Sequence, residues 1–191
     1  MKKITFLLLF SLLFSTLSFS QNTKPYSDIF RPEFRIAVGV NAIQNLGTRE
    51  PFTDFDEWSF GIPLSAALEY KFSHNWSIEQ AFNLNKFDVD SNIDGGTLTK
   101  DYTYFGTNTN LKWYPNWIKS DKFKLFANAG IGVFKIDDLN TSANLGGGML
   151  YWFSDSFGVR GTALGKFAID NKDRIYDNNH FQYMLEVVFK I

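Results

Sequence analysis

The chain contains no cysteine. Disulfide staples, thiolate metal sites and lipid attachment through a cysteine are therefore excluded. It also lacks a long apolar run. The longest, Ile4 to Leu17, falls short of the roughly 20 residues a membrane-spanning helix requires. Charge of either sign is not in excess: 19 Lys and Arg against 20 Asp and Glu leave a formal charge of -1. That balance offers no electrostatic footprint for nucleic acid. What the chain does have is aromatic side chains, 18% of its residues, at a mean hydropathy of only -0.17. Abundant aromatics without overall greasiness suit strands with one apolar and one polar face better than helices buried all round.

The first residues read as an export signal. Lys2 and Lys3 precede the short apolar run, and Ser18-Phe19-Ser20 supplies small residues at the two positions a signal peptidase reads. The expected organisation is a signal peptide over 1–20 cleaved after Ser20, a short periplasmic segment over 21–32 and one folded domain over 33–191.

Within that domain apolar residues recur at every second position in eight segments, each long enough for the roughly 9 to 11 tilted residues of a transmembrane strand. Glu33 to Ile43 carries Phe34, Ile36, Val38 and Val40 on one parity, and Ser59 to Phe72 carries Phe60, Ile62, Leu64, Leu68 and Phe72. Later segments begin at Trp76, Thr103, Phe123, Leu145 and Phe157. The last, Phe181 to Ile191, alternates almost without a break. Connections alternate too: short after the second, fourth and sixth segments, long at 44–58 and 88–101. An even number of strands with short turns on one rim and longer loops on the other predicts an all-β fold, an eight-stranded antiparallel up-and-down transmembrane barrel.

A soluble barrel would place its apolar parity inside. Three features point outward instead. Apolar-parity aromatics gather at the strand ends beside the short turns, at Phe34, Phe72, Trp76, Trp113, Phe123, Phe153, Phe157 and Phe189, as an interfacial girdle requires. The polar parity is rich in small residues such as Gly39, Ser65, Ala67, Gly130, Gly146 and Gly148, which suits a crowded lumen. The apolar parity is nearly free of charge.

Tyr104-Phe105-Gly106 leading to Leu111-Lys112-Trp113-Tyr114, the run Gly146-Gly147-Gly148-Met149-Leu150-Tyr151-Trp152-Phe153 with its turn into Phe157-Gly158-Val159-Arg160, and the alternating aromatic C-terminus resemble the OmpA-like outer-membrane β-barrel family of Gram-negative bacteria, in the porin-like superfamily. The resemblance covers about Glu33 to Ile191 and implies an outer-membrane location, contact with outer-membrane lipid and insertion by the barrel-assembly machinery. Members usually end in an aromatic residue; this chain ends in Ile191 with Phe189 two residues earlier. The peptidoglycan-binding domain of longer relatives is not expected here.

Inward-facing charges are the main candidate site. Levelling the strands by their aromatics sets Phe157 opposite Phe189, hence Arg160 opposite Glu186, and Phe72 opposite Trp76, hence Glu69 opposite Glu79. Two facing carboxylates in a confined space disfavour each other's ionisation unless cations intervene. Arg35, Glu69, Glu79, Lys112, Arg160 and Glu186 are therefore expected to form a charge-paired plug, with a gate as its functional variant.

Other constellations carry less. Asp88 to Gly95 spaces oxygen ligands like the first half of a calcium loop, but Ile93 stands where the loop needs Gly and Thr99 where it needs Glu. No metal site and no cofactor are implied. Lipid A-modifying barrels place His and Ser near the outer leaflet; here His180 begins the last strand without a Ser on it, and His74 lies in a turn on the opposite rim. Gly146 to Gly148 precedes no helix, so strand bending and close packing are its expected use. Phe52, Phe55 and Trp58 sit among acids in the first long loop, as a surface for an unknown ligand or folded onto the rim. The expected function is non-enzymatic: a structural and surface-interacting barrel, with a narrow transport barrel as the alternative and a lipid A-modifying enzyme behind it.

Overall fold

Eight long strands hydrogen-bond in a ring. The structure, a computed structural model, describes residues 30–44, 50–53, 55, 58–93, 96–118, 120–136, 138–169 and 179–191. Residues 1–29, which include the expected signal peptide over 1–20, lie outside the described residues. Strands β1 (Glu33–Gln44), β2 (Leu64–Lys71), β3 (Trp76–Phe87), β6 (Tyr102–Trp113), β7 (Phe123–Lys135), β8 (Leu139–Trp152), β9 (Phe157–Ala168) and β10 (His180–Lys190) close a barrel in the order β1-β10-β9-β8-β7-β6-β3-β2. Every pairing is antiparallel, and β10 returns to β1 through Arg35↔Lys190 to Gln44↔Phe181. Among the described residues no edge of the barrel sheet is left unpaired, the condition for crossing a bilayer with strands.

Alternation in sequence becomes alternation of faces. On β1, Phe34, Ile36, Val38 and Val40 are exposed on the outer wall while Arg35, Ala37 and Asn41 are buried inside. Leu68, Ile78, Leu111, Leu145 and Leu185 continue the exposed apolar wall, and Glu69, Glu79, Lys112, Asn144 and Glu186 the buried polar interior. This is a soluble protein turned inside out, with lipid as the solvent for the greasy parity.

The register follows the aromatic levels: Phe157 pairs with Phe189, Arg160 with Glu186, and Glu69 with Glu79. Two glycines make the close packing possible. A Cβ on Gly39 would press into the Leu185 carbonyl and the Glu186 backbone, and one on Gly148 into the Gly161 carbonyl and the Phe126 ring.

Three elements differ from the sequence reading. The second strand begins at Leu64 rather than Ser59, because Pro63 has no N–H to give to a ladder. Ahead of it Ser59 makes only a bridge to Ile43, and the Gly61 amide donates to the Lys86 carbonyl at 3.2 Å. β8 begins at Leu139 rather than Leu145, since Asn140, Ser142 and Asn144 face inward opposite small Thr141 and Ala143, a stretch with little apolar contrast. The second long loop contains a hairpin, β4 (Asn92–Ile93) with β5 (Gly96–Thr97).

Candidate functional site

The lumen is filled in layers. Nearest the short turns lies a charge layer drawn from six strands. Arg160 on β9 donates from Nε and Nη2 to Glu186 Oε2 at 2.9 and 2.6 Å, and from Nη1 to Glu69 Oε2 at 3.0 Å. The same Nη1 lies 2.5 Å from Glu79 Oε2, which also accepts from Lys112 Nζ at 2.5 Å. Arg35 reaches Glu69 Oε1 at 3.2 Å and closely engages Glu33. All six expected charges thus meet in one network, three cations against three carboxylates, each at most 4% exposed. Buried charges persist only when paired and hydrogen-bonded. Here the remaining lone pairs are met by hydroxyls: Ser77 and Tyr114 donate to Glu69 at 2.8 and 2.7 Å, and Ser65 to Glu186 at 2.6 Å.

Those hydroxyls were missed from sequence. Ser65 and Ser77 share the inward parity with the charges, which is a usable signal; Tyr114 lies one residue past β6, where no pattern announces it. Phe126 and Trp152 also face inward. The Lys112 ammonium lies 4.6 Å from the Phe126 ring centre.

Above the charges is a layer of amides, Asn83, Asn108, Asn110, Asn128 and Gln182, with the Thr162 hydroxyl, all buried. Among the described residues the side-chain amides of Asn83, Asn128 and Gln182 find no hydrogen-bond partner. Buried amides of this kind call for water as their partner.

The long-loop end of the lumen carries an apolar and aromatic cluster. Ile43, Phe87, Tyr104, Phe134 and Ile136 pack together, and Leu98, reaching in from the β4–β5 loop, is 1% exposed. Lys166 donates to the Tyr104 hydroxyl at 3.1 Å and lies 5.3 Å from the Phe134 ring centre. His180 Nε2 is 3.2 Å from that hydroxyl, so the histidine is enclosed in this cap. The sequence reading did not anticipate the cap, although Phe87, Tyr104 and Phe134 stand on the polar parity, the one visible sign of it.

On the outer wall at the short-turn end, Phe153, Phe157 and Phe189 form a chain of rings at 5.7 and 5.5 Å, and Phe34 packs on Tyr70 at 4.7 Å. Trp76 and Trp113 are register partners, and Trp113 packs on Trp117 at 5.3 Å. Phe72 is exposed and Phe123 half-buried beside its partner Tyr151. Tyr70, Tyr151 and Trp117 join this band from positions the sequence reading left out of it.

The first long loop folds back onto the opposite end of the wall. Buried Gln44 holds it: its amide donates to the Glu50 carbonyl at 2.7 Å, and its oxygen accepts from the Phe52 amide at 3.1 Å and the Tyr183 hydroxyl at 2.8 Å. Trp58 stacks on Tyr183 at 4.4 Å, and Phe52 takes a φ of 64° to lie against the same ring at 4.7 Å. Asp54, Asp56 and Glu57 of this loop are outside the described residues. At the base of the second long loop Lys86 on β3 bridges Asp88 and Asp101, each at 2.7 Å. Asp94 of the discounted calcium spacing is outside the described residues, and among those described no group of three metal-ligating side chains occurs.

A closed barrel with an apolar wall and a charged interior matches a known family, the outer membrane protein beta-barrel domain, over residues 6–189. The chain belongs to that family. Membership makes it a transmembrane protein of a Gram-negative outer membrane, lying in the lipid bilayer. Among solved structures it is similar in fold to the N-terminal β-barrel domain of Pseudomonas aeruginosa OprF, with a TM-score of 0.56 and 11% identity over 84% of this chain and all of that one. The Yersinia pestis outer membrane protein Ail in a phospholipid bilayer nanodisc gives 0.52 and 16% over 84% and 100%. The E. coli outer membrane protein W gives 0.51 and 12% over 83% and 97%. No curated protein matches this member of the family.

Proposed function

We propose that this barrel is a non-enzymatic structural and surface-interacting protein of the outer membrane, with a lumen closed to solutes. The observation that carries the reading is Arg160, which ties β9 to β2, β3 and β10 through Glu69, Glu79 and Glu186. A solute crossing the barrel would have to separate these charges in a confined space, a cost of several kcal/mol. The apolar cap around Tyr104, sealed by Leu98, supports closure at the other end. The aromatic band from Phe34 to Phe189 reads as the girdle that seats the barrel at one bilayer interface. Exposed Phe52 and Phe55, on a loop pinned by Gln44, make the opposite rim the natural contact surface for a ligand. Export by a signal cleaved after Ser20 and insertion by the barrel-assembly machinery belong to the same reading. The test is planar-bilayer conductance of the wild type and Glu79→Ala. The wild type should give no unitary events; reproducible wild-type channels would end the closed-lumen reading.

One observation favours a second reading, a narrow transport barrel. The amide layer between charge layer and cap is polar enough to be wet, so two separate closures rather than a continuous packed core stand between the rims. In that case solute uptake by wild-type vesicles, abolished by crosslinking the second long loop to the barrel, should be measurable.

A further inference from the structure

The mouth of the barrel on the short-turn rim holds a pocket of about 440 Å³ below the charge layer. Five cations line it, Arg35, Lys71, Lys122, Lys124 and Lys190, against three carboxylates. Of those carboxylates Glu33 is already engaged by Arg35 and lies 3.9 Å from Lys190. Among the described residues Lys71, Lys122 and Lys124 take part in no ion pair. Two aromatic rings lie beside three of the five cations. The Lys190 ammonium lies 4.4 Å from the Trp152 ring centre, the Lys71 ammonium 5.5 Å from that of Tyr114, and the Arg35 guanidinium near both. A ring face attracts a cation without cancelling its charge. The concavity therefore keeps a net positive field aimed at whatever enters.

We propose that this basin binds a phosphate-bearing anion. Ammonium groups are compact point charges suited to phosphate, several converge on one cavity, and about 440 Å³ lies in the range that admits a headgroup-sized molecule. Short-turn rims of such barrels face the periplasm, so the phosphate can come from a phospholipid headgroup of the adjacent leaflet or from a soluble compound.

The experiment uses the full chain in uncharged maltoside micelles, titrated calorimetrically with inorganic pyrophosphate. In parallel, native mass spectrometry reads lipid retained from bilayer discs of phosphatidylglycerol mixed with phosphatidylcholine. Saturable pyrophosphate binding weakened at least tenfold in Lys71→Gln/Lys124→Gln, and unchanged in Lys100→Gln on the other rim, supports the site with a soluble source. Selective phosphatidylglycerol retention lost in the same double variant supports it with a lipid source. Should the double variant fail to fold, Lys122→Gln in the turn replaces it, with a smaller loss expected. Binding of neither probe, or binding indifferent to these substitutions, overturns the proposal.

Discussion

Arg160 and Glu79 stand on β9 and β3, four strands apart in either direction around the eight-strand ring, yet their side chains meet at 2.5 Å. The pair spans the full width of the lumen. Glu79 is also the register partner of Glu69, and Arg160 and Lys112 each bridge these two adjacent carboxylates. Arg160→Met should destabilise the barrel by about 3–5 kcal/mol, the cost of leaving buried charge uncompensated. Urea unfolding in lipid vesicles reads this, and the double variant Arg160→Met/Glu186→Gln should recover part of the loss. A single-variant loss below ~1 kcal/mol would mean the network is not the lumen's main polar support.

Leu98 closes the other end. Leu98→Ser removes an apolar side chain from among Phe87, Tyr104 and Phe134 and should loosen the loop rather than the barrel. Amide exchange should rise across 88–101 while β-strand protection is retained. Faster exchange throughout the barrel would show instead that the cap is part of the fold's core.

Gly148 has no room for a side chain between the Gly161 carbonyl and the Phe126 ring. Gly148→Val should force β8 and β9 apart or block insertion, costing at least ~1–3 kcal/mol as other overpacked sites do. Folding yield into vesicles checks this; a wild-type yield with unchanged stability would contradict it.

Lys86 donates to the Asp101 carboxylate, with help from the Val89 amide, and holds that carboxyl below its usual range. A depressed carboxylate pKa means the bond contributes fully above the unfolded value of about 4 and is lost as pH falls through the folded value. Carbon-13 titration of the Asp101 carboxyl should therefore give a midpoint below about 4, and Lys86→Met should raise it toward that value. An unchanged midpoint in the variant would remove Lys86 as the cause.

Faces and register were legible in the sequence because both rest on period two. Once Phe157 is level with Phe189, Arg160 must face Glu186, and once Phe72 is level with Trp76, Glu69 must face Glu79. What was not legible depends on breaks in that period. Phe87, Tyr104 and Phe134 put bulk on the polar parity at the strand ends, and their meaning appears only when Leu98 arrives from a loop 11 residues past Phe87. Tyr114 enters the charge layer from outside any strand. The cationic mouth collects Lys71 and Lys190 from the ends of β2 and β10 and Lys122 from the turn before β7, positions that sequence distance keeps apart.

The central claim is that the greasy parity meets lipid while the charged parity looks into a closed lumen. The absence of cysteine makes single-cysteine spin labelling clean: Leu68→Cys, Leu111→Cys and Leu145→Cys on the wall, Ala67→Cys and Ala81→Cys in the lumen. In bilayer discs the wall labels should be relaxed by oxygen and shielded from a water-soluble nickel complex, and the lumen labels shielded from both. Wall labels open to nickel, with oxygen reaching the lumen positions instead, would contradict the account.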